Sequence, residues 1–347
     1  MILASLFQSP LLRGLFVCLL LAGCEHQPAQ PVRLSGQTMG TWYHLKYIAP
    51  KASPTTQQVQ KLVDQRLGDI NQNMSTYLAD SELSRFNRSP SAKPFAVSSS
   101  TAEVVATALQ IGVESGGALD VTVLPLVEIW GFGSKKRIEN PPDEAAIQRA
   151  RAKTGRLKLK AHINPPSLTK VLGNVSVDLS SIAKGYAVDQ VAQTLDSLGI
   201  HHYLVEIGGE LRASGEKAPS HPWVVGIEVP GNEPGQVQRS LPLENLSMAT
   251  SGDYRNYFEK DGVRYSHTIN PNTGRPIGHH LASVSVVAED CMTADGWATA
   301  LNVLGEVEGF QLAQKKKLKA YFVFRAGDQF QVKATQGFLA LSTKTKQ

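Results

Sequence analysis

The sequence predicts an α+β fold, and three observations carry that prediction. Segments that alternate apolar and polar residues, as strands do, are interleaved with segments whose apolar residues recur every three or four positions, as in helices. The two kinds follow no strict strand-helix-strand rhythm, so a wholly parallel sheet is not expected. No internal repeat divides the chain, and 347 residues with 42% hydrophobic content can bury one large core or two closely packed lobes.

At the N-terminus, Leu15 to Ala22 is an apolar run preceded by Arg13 and followed by Gly23 and Cys24. It is too short to span a bilayer and has the order of a secretory signal. Leu21-Ala22-Gly23-Cys24 resembles the bacterial lipobox, which implies cleavage after residue 23 and a lipid on Cys24. The expected organisation is therefore a signal peptide at 1–23, a lipidated Cys24 with a polar tether at 24–36, and one domain at 37–347. A lipid would hold that domain on a membrane face without a transmembrane helix. Glu25 after the cysteine favours the periplasmic side of the inner membrane over the outer membrane. Once Cys18 has left with the signal and Cys24 is modified, Cys291 is the remaining thiol, so no intramolecular disulfide is expected.

Within the domain, Thr38 to Ile48 alternates as a strand. Thr55 or Thr56 then caps a helix whose stripe is Val59, Leu62, Val63, Leu67, Ile70 and Met74. Met74 to Ser81 is a polar turn around Tyr77. A second helix runs from Ser100 to about Glu114 with Val104, Val105, Ala108 and Val113 as its apolar side, stopped by Ser115-Gly116-Gly117. Ala118 to Leu126 reads as a loop entering a strand cut by Pro125. Ser134 to Asp143 reads as a surface excursion before a helix from Glu144 to Lys153.

Val175-Ser-Val177 reads as a strand and Ala187 to Leu198 as a helix. Tyr203 to Leu211 reads as a strand broken by Gly208-Gly209, and Trp223 to Val229 as another strand. A hairpin is expected at Lys260-Asp261-Gly262, a strand at Ser283 to Val287, a helix at Thr293 to Leu304, and a last hairpin turning at Ala326-Gly327-Asp328.

A net charge of +5 and a pI near 9.0 invite a nucleic-acid reading. The charges are interspersed, however. The densest basic runs, Lys135-Lys136-Arg137 and Lys315-Lys316-Lys317, read as a solvated loop and a helix end, so no nucleic-acid partner is expected. The chain has no G-x-G-x-x-G, G-x-x-x-x-G-K-[ST] or G-x-S-x-G motif, which argues against a Rossmann dehydrogenase, a P-loop ATPase and an α/β-hydrolase.

Three stretches have the composition of a site. Asp178-Leu-Ser-Ser-Ile-Ala-Lys-Gly-Tyr186 brings a carboxylate, exposed amides and a cation to a helix start, which suits a phosphate-bearing ligand with a divalent ion. The same residues also suit an ordinary helix capped by Ser180 or Ser181, with Lys184 solvated. Asp295 and Thr299, four apart on one helical face, are hard oxygen donors suited to magnesium, or equally a dipole-offsetting acid and a back-bonded threonine. His267 leaves a strand into the turn Thr268 to Pro276, where it can serve as a general base or bond the turn.

Taken in order, these runs resemble the ApbE family of bacterial flavin transferases. The resemblance rests on Thr38-Met-Gly-Thr41, Ser75-Thr-Tyr77, Gly117-Ala-Leu-Asp-Val-Thr122, Asp178 to Gly185, and Glu206-Ile-Gly-Gly-Glu210. It continues through Thr250-Ser-Gly-Asp-Tyr254, His267-Thr-Ile-Asn-Pro271 with Thr273-Gly-Arg-Pro276, and Thr293-Ala-Asp295 with Ala298-Thr299. It implies a flavin site between two lobes and magnesium-dependent transfer of FMN from FAD to a Thr or Ser hydroxyl of an acceptor protein, releasing AMP. Membrane redox proteins such as NADH:quinone reductase or Rnf-type subunits are the implied acceptors.

Carried over by position, Met39, Tyr77, Ala118, Leu119, Asp120, Asp178, Lys184 and Ile269 would line the FAD site. The Ser181 carbonyl, Asp295 and Thr299 would hold magnesium. His267 is the implied base, with Asp178 as the alternative. Ala298 stands where some members carry an acid, and some relatives carry an acid in place of Lys184. Two other readings keep part of this site: a periplasmic FAD pyrophosphatase yielding FMN and AMP, and a non-catalytic flavin-binding lipoprotein.

Overall fold

The computed structural model describes residues 30–343 apart from 53, 135–137, 139, 172–173, 232–235, 254–256 and 328. The signal segment, Cys24 and the run Lys135-Lys136-Arg137 lie outside the described residues. Regular structure opens with a hairpin of β1 (Val32–Thr38) and β2 (Thr41–Tyr47), turning at Met39 and Gly40, both at positive φ. The fold therefore starts at Val32 rather than Gln37, because five residues assigned to the tether already pair with β2.

Helix α1 (Thr56–Met74) begins with a capping box between Thr55 and Gln58, and Val59, Val63, Leu67, Ile70 and Met74 form its buried stripe. Leu62, one step round the helix, is exposed instead. Then come α2 (Glu82–Arg88), absent from the sequence reading, β3 (Phe95–Ala96) and α3 (Ser99–Glu114), which is capped by Ser98. Val113 on α3 faces solvent.

The segment expected as a strand through Leu126 is a loop followed by the short α4 (Leu124–Ile129). Pro125 does not cut a strand there; it sits in the first helical turn, where its missing N–H costs nothing. After α5 (Glu144–Arg151) a small sheet joins β3 to β4 (Leu159–Ile163) and β5 (Pro166–Lys170).

Val175-Ser-Val177 is buried and extended but belongs to no sheet. The Asn87 side chain accepts from the Val177 N–H (2.7 Å) and donates to its carbonyl (2.8 Å), supplying the bonds that a neighbouring strand would give. Helix α6 (Ala183–Ser197) starts four residues earlier than expected.

The rest of the chain is mostly antiparallel strands. They are β6 (Tyr203–Ile207), β7 (Glu210–Ser214), β8 (Glu216–Ala218), β9 (His221–Glu228), β10 (Val237–Leu243), β11 (Leu246–Gly252), β12 (Tyr257–Lys260), β13 (Val263–Ser266), β14 (Ile269–Asn270), β15 (Arg275–Pro276) and β16 (Leu281–Ala288). Helix α7 (Cys291–Lys315), the hairpin β17 (Lys319–Ala326) and β18 (Gln329–Ala334), and α8 (Gln336–Thr343) complete it. Gly208-Gly209 is the turn of a β6–β7 hairpin, with both glycines at positive φ, rather than a break in one strand.

An eight-stranded sheet in the order β1-β2-β6-β7-β11-β16-β17-β18 organises the fold. Alternation along its strands feeds two cores. Ala249, Val286 and Phe322 pack with α1, α6 and α7, whereas Met248, Val287 and Val323 pack with Trp223 and Leu241 of β9 and β10 and with Phe338 of α8. Each such fully buried large side chain contributes about 1.5–3 kcal/mol, which is how the sheet holds a layer on both faces. A third cluster gathers Leu126, Trp130, Ile147 and Ile269 beside the site.

Candidate active site

A cleft of about 740 Å³ opens where α6, α7, the Gly117–Val123 loop, the Gly208-Gly209 turn and the β13–β14 segment meet. Ala118, Leu119, Asp120, Ser181, Lys184, His267, Ile269, Asp295 and Thr299 all line it, although they are spread over 182 positions of sequence from 118 to 299.

The close approach of α6 and α7 builds its floor. Gly185 permits it, because a Cβ there would lie 2.3 Å from the Cys291 carbonyl oxygen and 2.7 Å from Asp295 Cβ. The Gly185 N–H donates to Asp295 Oδ2 (2.9 Å), and the Thr299 hydroxyl donates to the Ser181 carbonyl (3.3 Å). Asp189 of α6 locks the same pair of helices: it accepts from the Cys291 and Met292 N–H groups and pairs with Arg212 at 2.7 Å. No side chain caps α6, so the capped-helix alternative fails.

Lys184 is paired rather than simply solvated, with its side chain 29% exposed. Its Nζ lies 2.6 Å from Glu210 Oε2, and Glu210 is buried. The contact is close but poorly directed, since Oε2 has no well-aligned hydrogen-bond donor. Burial pushes the Glu210 carboxyl up to about 7 against the pull of Lys184, with Asp295 adding to the rise. Burial lowers the Lys184 ammonium, but the Glu210 and Asp295 carboxylates outweigh it and raise it overall. Burial likewise raises Asp295, opposed by Lys184 and by the Gly185 N–H. The floor is therefore two buried acids sharing one cation. Sequence reasoning missed Glu210; its signal was an acid directly after a glycine pair, placed by the turn at the cleft.

Asp120 sits on the wall with its oxygens committed. It accepts from the Thr122 N–H and hydroxyl and from the Arg156 N–H, and so shapes the loop that presents Ala118 and Leu119. His267 enters the cleft between β13 and β14 with Phe132 edge-on to its ring at 6.4 Å. Phe132, Phe258, Tyr265 and Trp130 continue from it as a run of contacting rings.

Three expected residues do not line the cleft. Asp178 is buried beneath it, accepting from the Ser180 N–H (2.9 Å), and burial raises its carboxyl. Tyr77 is 70% exposed, its phenol raised by desolvation and by the Asp178 carboxylate. Met39 packs against the main core from the β1–β2 turn.

The Ser181 carbonyl, the Thr299 hydroxyl and Asp295 form a hard oxygen set with one carboxylate. No cluster of three His, Cys, Asp or Glu exists among the described residues. The donors present fit a magnesium ion that completes its shell with water and phosphate oxygens; they do not fit a softer metal.

The family model for the ApbE family matches residues 39–322. A protein from Vibrio cholerae named FAD:protein FMN transferase is 46% identical over 326 residues, covering 94% of this chain and 97% of the relative. One of the same name from Haemophilus influenzae is 43% identical, covering 95% and 96%. Among solved structures, flavin transferase ApbE from Vibrio cholerae superposes with a TM-score of 0.84 at 44% identity, covering 90% of this chain and all of that one. The apo flavinyl transferase ApbE of Pseudomonas stutzeri gives 0.83 at 40% identity, covering 90% and 96%. With its mixed sheet-and-helix fold shared and nearly its whole length matched, the chain belongs to the ApbE family, whose named relatives are transferases.

Proposed function

We propose that this enzyme transfers FMN from FAD to a Thr or Ser hydroxyl of an acceptor protein with the help of magnesium, releasing AMP. The observation that carries the proposal is the convergence of the Ser181 carbonyl, Asp295, Thr299 and His267 on the lining of one cleft. Ser181, Asp295 and Thr299 would hold the ion. Bound there, magnesium supplies charge neutralisation on the pyrophosphate.

The chain's own residues do the rest. Ala118, Leu119 and Ile269 give apolar surface for the flat rings of FAD. Lys184, held by Glu210, presents its ammonium to the phosphates. The acceptor hydroxyl oxygen attacks the FMN-side phosphorus, the bond to the bridging oxygen breaks, and AMP leaves with that oxygen. His267, a cleft-lining imidazole, takes the hydroxyl proton. Asp178, turned to the Ser180 N–H, serves as a positioning group for the Ser180–Ser181 turn rather than as the base. Met39 and Tyr77 border the site, and Tyr77 would reach FAD only if the ligand extends past the cleft.

The lipobox supports a lipid on Cys24 and a position on the periplasmic side of the inner membrane, where redox subunits such as those of NADH:quinone reductase would be the acceptors. The test is a purified acceptor subunit with FAD and magnesium, scored for covalent flavin after denaturation. AMP formed without an adduct would favour the pyrophosphatase reading. FAD bound with neither product would favour the non-catalytic one.

A further inference from the structure

Helix α7 carries a third polar rung beyond the two that reach the α6 end. Asp295, Thr299 and Asn302 step by four and then three positions, so they share one face. Asp295 holds the Gly185 N–H and Thr299 holds the Ser181 carbonyl. Asn302 Nδ2 donates to the Thr268 hydroxyl at 3.4 Å. Thr268 is the residue next to His267, and both line the cleft.

Asn302 is an expensive residue for that position. It is 0% exposed and its Oδ1 has no hydrogen-bond partner, so a buried amide oxygen is left unsatisfied. Its neighbours Leu301 and Val303 are ordinary core residues, so an apolar side chain would suit the packing better.

The backbone around Asn302 is pinned as well. Gly305, at φ +78 and ψ −172, breaks α7, and carbonyls before such a break lose their helical donors. His279 fills the gap: its Nε2 donates to the Asn302 carbonyl at 2.7 Å, and any Cβ at Gly305 would lie 2.7 Å from its ring. Glu306, just past the break, accepts from the Leu281 N–H at 3.1 Å, tying the kink to β16.

We infer that Asn302 is a positioning residue for the transfer step, fixing the His267–Thr268 segment against the helix that carries Asp295 and Thr299. The inference rests on the reading of His267 as proton acceptor. It ties the base to the metal-binding helix through a side-chain contact beside a kink packed against His279.

The experiment is a kinetic double-mutant cycle of Asn302→Val and His267→Ala in the full domain, with FAD, magnesium and a purified NADH:quinone reductase subunit. Covalent flavin is the readout. Asn302→Val is expected to lower kcat about 10- to 100-fold, the scale of a misplaced catalytic group, with KM for FAD within about twofold. In the His267→Ala background it is expected to cost nothing further, because it acts through the histidine. Thr268→Val, which removes the other end of the contact while keeping its size, should reproduce the loss if Asn302→Val does not fold.

Losses that multiply in the double variant would overturn the inference while leaving the role of His267 intact. So would an Asn302→Val loss that extra magnesium restores, since that would place the effect on the metal side. If His267→Ala instead transfers at the parent rate, the base assignment fails, and the inference fails with it.

Discussion

Replacing Lys184 with Met removes the cation shared by two buried acids, and the structure sets the size of the response. Glu210 and Asp295 are 2% and 5% exposed, so neither can recover its lost partner from water. Removing one member of such a pair costs about 3–5 kcal/mol, whereas replacing both members with apolar groups is often close to neutral. The single variant Lys184→Met should therefore lose about 3–5 kcal/mol in urea unfolding, and Lys184→Met with Glu210→Leu should regain part of it, with Asp295 still lacking its cation.

The pH dependence follows from the sign of the Glu210 shift. Its folded pKa of about 7 lies above the ordinary 4.5, so proton binding to this group favours the fold below pH 4.5. That contribution is lost as pH rises through about 7. Without Lys184 the carboxyl rises further, so the deficit of the single variant should be smaller near pH 6 than near pH 8.5. Urea curves at both values, read by tryptophan fluorescence, give the numbers. Equal deficits at the two pH values, or a double variant no better than the single, would refute the shared-cation description of the cleft floor.

Other substitutions test the frame around it. Gly185→Ala drives a methyl into the Cys291 carbonyl and Asp295 Cβ, which should cost about 1–3 kcal/mol or more and raise the magnesium needed for half-maximal transfer. Asp189→Ala leaves the Cys291 and Met292 N–H groups and Arg212 without their acceptor; a loss of about 2–4 kcal/mol by calorimetry is expected, with the bound cofactor rings unaffected. Thr299→Val keeps shape but removes a donor oxygen, so magnesium titrations should shift about 10-fold or more while FAD affinity in the absence of metal stays put.

Much of this architecture was legible in the sequence because it rests on local signals. The Thr55 cap, the Ser115-Gly116-Gly117 stop and the Asp261-Gly262 turn act within a few residues, and each is where the pattern puts it. What escaped depends on distant partners. Val175 and Val177 alternate like a strand, and it is the Asn87 side chain, some ninety positions away, that takes up the Val177 backbone groups outside a sheet. The helix expected to end at Leu304 does end there, at the non-helical Gly305; what escaped is the second helical stretch that follows the kink to Lys315.

The site divides the same way. Asp295 and Thr299 declare themselves by helical spacing, and Ser181 enters through its carbonyl. Glu210 becomes a site residue only when the β6–β7 turn carries it to Lys184, a pairing with no local signature. Tyr77 and Met39, singled out by motif resemblance, are not among the residues that line the cleft.

The central claim is that these residues together move FMN onto a protein hydroxyl. Intact-mass measurement of a purified acceptor subunit, after incubation with FAD, magnesium and either the parent enzyme or Asp295→Asn, tests it most directly. The account predicts a gain equal to FMN less one water with the parent, matched by one equivalent of AMP, and a gain reduced about 100-fold or more in rate with the variant. An acceptor that stays unmodified while AMP accumulates, or one modified equally fast by Asp295→Asn, would contradict it.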